Sequence, residues 1–203
     1  MKESNNKEFS QSGLEPQIVA EHRLGMTFFL FFIMIGTSFI PEKTVLMWIL
    51  INSIFTLIFL GILFFLWKKY KYDTVRYYSF QVYIMLMGIA FFAITPIFKL
   101  LFGTVYFWML LFITLAIILT SHLLKNRTVR SFVNKNHKLL VNILSVYMMV
   151  LIFFGIFFSG IMQINEIPEN EGASVLLYFI SFVLIVMAPM FLVREGDVEK
   201  LKH

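Results

Sequence analysis

His122 and His137 lie 15 residues apart in one basic segment, Ser121 to Lys138, and Asp73 is the one acid in the preceding basic segment. A histidine working with a carboxylate at a membrane edge can move a proton to or from a lipid headgroup, so these three residues are the nearest approach to a catalytic set. The set is incomplete. No acid falls between Ser121 and Lys138 to orient either ring, and Asp73 has Lys71 and Arg76 beside it to neutralise. No histidine pair has metal-ligand spacing, and with no cysteine in the chain there is no thiolate zinc site, cysteine nucleophile or disulfide. The sequence predicts no catalytic residue, no metal and no cofactor.

A second group of chemically active residues is embedded in apolar surroundings. Asn52, Gln81, Thr95, Asn142 and Ser145, with Ser53, Thr56 and Ser181, interrupt long apolar runs. In hydrocarbon such side chains seek hydrogen-bond partners, so they are expected to face neighbouring helices. They serve either as packing contacts or as a polar track for a neutral solute. Gly155 and Ser159 form a small-xxx-small pair, which predicts a close helix crossing within the bundle or against a second copy of the chain.

The charged groups are segregated. Glu166, Glu169 and Glu171 fall in a segment, 163–174, that has no base, and they suit a cationic peptide, a metal ion or another membrane protein. Lys68, Lys69, Lys71 and Arg76 crowd one basic segment, and Lys125, Arg127, Arg130, Lys135 and Lys138 another. Because these cations sit between apolar runs, the net charge of +5 points to anionic lipid headgroups and away from nucleic acid. As a helix, the second segment would gather Leu124, Val129, Phe132 and Val133 toward one side and lie on an anionic leaflet, at about 1 kcal/mol per basic residue.

The elements that carry these residues follow from composition. Apolar residues make up 59% of the 203 and charged ones 14%, against roughly 45–50% and about 25% in globular proteins. Uncharged runs of this length are read as transmembrane helices. Six spans are expected, at about 24–40, 44–67, 78–98, 100–120, 139–162 and 175–193, with every Asp, Glu, Lys, Arg and His outside them. Pro41, Glu42 and Lys43 end the first, and Trp67 is an interfacial aromatic at the end of the second. Pro96, Lys99 and Gly103 mark a tight turn at Lys99 between the third and fourth, and Pro189 bends or ends the sixth. The N-terminal segment 1–23 has no apolar core and reads as a tail, with 194–203 as its counterpart.

With six spans, fifteen of the 17 lysines and arginines fall on one side. Segments rich in these residues stay in the cytoplasm, so both tails are placed there. The expected fold is all-α: a multi-pass bundle of three consecutive helical hairpins in a bacterial cytoplasmic membrane. Lys71-x-x-Thr74-Val75-Arg76 and Lys125-x-x-Thr128-Val129-Arg130 recur at an interval of 54 residues and suggest a repeated hairpin. Three functions fit: a non-enzymatic partner protein, such as an accessory subunit or an immunity protein against a membrane-active toxin; a transporter or channel for a neutral solute; and a lipid-modifying enzyme built on His122, His137 and Asp73.

Overall fold

The computed structural model describes residues 28–42, 44–70, 73–134, 138–164 and 169–201, and among them the chain is helical without strands. The helices are α1 (Phe29–Ser38), α2 (Val45–Lys69), α3 (Thr74–Leu101), α4 (Val105–Leu123), α5 (Lys125–Val133), α6 (Leu139–Ile164), α7 (Glu169–Met187) and α8 (Glu195–Leu201). A 3-10 turn, Ala188–Leu192, continues α7. Four helices are long and apolar enough to cross a membrane: α2, α3, α4 and the stretch Glu171–Leu192. The described parts of two further apolar helices, Phe29–Ser38 and Leu139–Gly155, are shorter.

The expected turn at Lys99 does not exist. α3 runs through Pro96 and Lys99 to Leu101, and the chain turns at Gly103, whose φ of +83° is the left-handed conformation a residue without Cβ adopts freely. Proline is tolerated within membrane helices because neighbours re-satisfy the backbone it releases. Thr104 then lies in an extended conformation before α4, and its hydroxyl donates to the Leu101 carbonyl at 2.7 Å. At the other end of α3, the Asp73 carboxylate accepts the Arg76 backbone N–H at 3.0 Å, an ordinary N-cap. α7 tightens into its 3-10 turn where Pro189 enters, as expected of that residue.

α3 is the centre of the bundle. Its most extensive packing is against α7, far away in sequence, and not against α4, the other arm of its own hairpin. Ala90, Ile94 and Ile97 of α3 meet Tyr178 and Ile185 of α7 in one buried cluster. On the opposite side, Leu30 and Met34 of α1 pack on Phe92, and Gly88 admits Leu30 so closely that an added Cβ would stand 3.0 Å from its methyl group. Phe55 and Phe59 of α2 close this side against Phe91, with ring centroids 4.4 and 6.1 Å apart. Lipid chains are as apolar as these side chains, so association here rests on close packing and hydrogen bonds, with little hydrophobic driving force. Small residues on α3 permit the approach.

The two motifs that recur at 54-residue spacing occupy unlike places. Thr74 opens α3, whereas Thr128 is buried within the short helix α5.

Candidate functional site

Polar groups of α1, α2 and α3 meet at Ser38, which contacts Asn52 and Lys99. Asn52 is fully buried and donates through Nδ2 to Ser38 Oγ at 2.8 Å, while its Oδ1 has no partner among the described residues. Ser38 Oγ passes its own proton to the Met34 carbonyl at 2.7 Å. Thr56 donates to the Asn52 carbonyl and Thr95 to the Phe91 carbonyl, the back-bonding typical of hydroxyls in apolar helices. Gln81 is buried on α3.

Lys99 joins this group and corrects the expectation that the apolar helices carry no charge. It is 6% exposed, and its ammonium donates to the Ser38 carbonyl at 2.9 Å and to the Pro41 carbonyl. The last carbonyls of a helix have no partner within it and carry its negative end, so a cation there completes the hydrogen bonding. Arg76 does the same at the far end of α3: its Nη1 donates to the Leu192 carbonyl at 3.2 Å, and its guanidinium lies 4.4 Å from the Phe80 ring centre. The two cations are 23 residues apart, or about 35 Å along a helix. That is close to the roughly 30 Å of a hydrocarbon core. Nothing in the sequence near Lys99 announces its partners, which lie about 60 residues upstream.

The groups considered for catalysis are occupied separately. Asp73 caps α3. The His122 ring bridges two groups, with Nδ1 2.8 Å from the Ile118 carbonyl and Nε2 2.8 Å from the Tyr83 hydroxyl. A carbonyl only accepts, so Nδ1 donates to it, and Nε2 pairs with the Tyr83 hydroxyl. His137 lies outside the described residues. Among the described residues, no group of three or more histidine, aspartate or glutamate side chains is arranged to hold a metal.

The five polar residues expected within spans are divided. Asn52 is buried on α2 and Gln81 and Thr95 on α3, whereas Asn142 and Ser145 are exposed on α6. α6 meets α7 along one side, where the Tyr147 hydroxyl donates to the Phe179 carbonyl at 3.0 Å and Phe154 meets the Phe179 ring edge-on. Gly155 faces this contact, and a Cβ there would touch Leu176 at 3.5 Å. The small-xxx-small pair therefore contributes its glycine to packing within the chain; the Ser159 side chain is outside the described set. α4 joins α7 through Thr114 and Tyr178, whose oxygens are 3.2 Å apart.

One end of the bundle gathers the basic residues. Lys68 and Lys69 close α2, and α5 packs by Thr128 and Val129 beside α6, α8 and the 3-10 turn, leaving Arg127 and Arg130 exposed. Lys138 is exposed and Lys125 half-buried, while Lys71 and Lys135 lie outside the described residues. Of the acidic set, Glu171 is exposed near the start of α7; Glu166 and the Glu169 side chain lie outside the described set.

No protein-family model matches this chain, and neither a curated protein nor a solved structure does. Function must be read from the residues themselves.

Proposed function

We infer that this chain is a non-enzymatic, multi-pass membrane protein that works by contact with another protein. It crosses a bacterial cytoplasmic membrane six times as three hairpins, with both tails in the cytoplasm. Its role is that of an accessory subunit of a membrane or export complex, or of an immunity protein against a membrane-active toxin. The observation that supports this reading is how the reactive groups are used. Lys99, Arg76, Asp73 and His122 are each engaged in capping or bridging helices, Asn52 in a contact between α2 and α1, and Thr56 and Thr95 in bonds to their own helix backbone. Asn142 and Ser145 lie apart from them, so the five polar residues line no common solute path. With its interior given over to packing, the chain has its surfaces left to act with. The outer acidic segment carrying Glu166, Glu169 and Glu171 is the surface for a basic partner, and Arg127 and Arg130 face the anionic inner leaflet.

Two experiments test this. The chain has no native cysteine, so single cysteines at Asn126 and Glu169 report topology through a membrane-impermeant maleimide. Labelling of Glu169→Cys from outside and of Asn126→Cys only after permeabilisation is expected; labelling of both from one side ends the six-span reading. Cross-linking pull-down from native membranes should retrieve a protein partner, and lysine at all three glutamates should release it. Retention by the triple variant removes the acidic segment, and a chain that retrieves no partner ends the functional reading.

A further inference from the structure

α6 has two unlike sides. The side toward the bundle is Leu140, Leu144, Tyr147, Leu151 and Gly155, all buried or half-buried. The opposite side presents Asn142, Ser145 and Met149, all exposed, at the i, i+3, i+7 spacing that aligns side chains along one helix face. Val146 and Phe153 flank this stripe at 60% and 73% exposure. Neither Asn142 nor Ser145 makes a side-chain hydrogen bond among the described residues. The helix thus turns Asn142 and Ser145 away from its own bundle.

A carboxamide set into hydrocarbon is costly unless another group pairs with it, and acyl chains offer none. The stripe starts one turn beyond Lys138, and Ser145 lies about 10 Å along the axis from that cation, so water at the headgroups does not serve the whole of it. We propose that this face of α6 is a self-association surface, on which a second copy of the chain packs α6 against α6 in parallel. Two copies inserted in one membrane share the same orientation, so a two-fold axis along the membrane normal brings each residue of the stripe against itself. Asn142 suits this geometry because a carboxamide is donor and acceptor at once, and two of them satisfy each other across the axis. A charged side chain would repel its own copy, and the stripe has none. A different protein would have to bring its own matching group, which nothing on this face selects. The proposal rests on the six-span reading above, which puts α6 in the bilayer, but the surface is separate from the acidic segment, so it does not depend on the partner reading.

Because the chain lacks cysteine, an introduced one reports a single position. Asn142→Cys and Met149→Cys, each in the full chain in native membranes, should form disulfide-linked dimers under mild oxidation. Leu57→Cys on α2 and Phe112→Cys on α4, exposed positions on purely apolar faces, should not. In lipid bicelles, a fluorescence energy-transfer titration should show Asn142→Leu weakening association about threefold, the effect of one average intramembrane hydrogen bond. Equal cross-linking at all four positions, none at 142 and 149, or a product containing a different protein overturns the proposal. So does an Asn142→Leu variant that associates as tightly as the parent.

Discussion

α3 and α6 are apolar helices of similar length, 28 and 26 residues, yet they solve the same physical problem in opposite ways. Every helix that carries polar side chains into a membrane must find partners for them. α3 finds them inside the chain. It is surrounded by α1, α2 and α7, and its end cations are taken up by carbonyls of other helices. Among its described residues α6 packs along one side, and Asn142 and Ser145 face outward. The difference teaches that polarity within a span does not by itself mark a pore or an active site. What matters is whether the rest of the fold absorbs it.

The contrast can be broken most decisively at Lys99. Replacing it with alanine strips two buried carbonyls of their donor, a loss of about 3 kcal/mol, read as a lower midpoint of unfolding in mixed micelles. A loss near zero would mean that the ammonium does not hold this end together. Next in size is Gly88→Ile, which forces Leu30 off α3 and should cost about 2 kcal/mol. The same substitution at Gly61, where a Cβ meets nothing within 4 Å, should leave the midpoint in place, and equal effects at the two glycines would remove the packing argument. The smallest and most discriminating pair is asparagine to leucine. Asn52→Leu should lose about 0.6 kcal/mol, the average worth of such a bond in a membrane protein. Asn142→Leu should leave the unfolding of the isolated chain within about 0.5 kcal/mol of the parent, as surface changes do. If Asn142→Leu proved the more damaging of the two, α6 would be bound into its own bundle after all.

Much of this was legible in the sequence, and the gaps have physical reasons. Apolar runs and their charged flanks disclosed the helical character and the approximate positions of the long helices, because length and composition are local properties. The cluster of Pro96, Lys99 and Gly103 signalled a turn, and only Gly103 makes one. Proline breaks helices in water and a lone lysine is costly in an apolar setting; here the helix continues because neighbours re-satisfy the backbone that Pro96 frees and Lys99 finds carbonyl oxygens at the end of α1, and no local pattern records that meeting. The dominance of α3–α7 packing was hidden for the same reason. Asn142 and Asn52 look alike in sequence, each an asparagine in an apolar run, and their opposite settings emerge only from which helix lies beside them. The roles of Asp73 as a cap and His122 as a bridge required the same knowledge.

Lys99 also sets an order of events during synthesis. The polypeptide emerges from the ribosome N-terminus first, and Ser38 precedes its cationic cap by 61 residues. While the first two helices are being made, the carbonyls that end α1 await a donor that has not yet been translated. Completion of the third helix latches the first in place, and a nascent chain arrested shortly before codon 99 should leave its leading hairpin open to extraction and proteolysis.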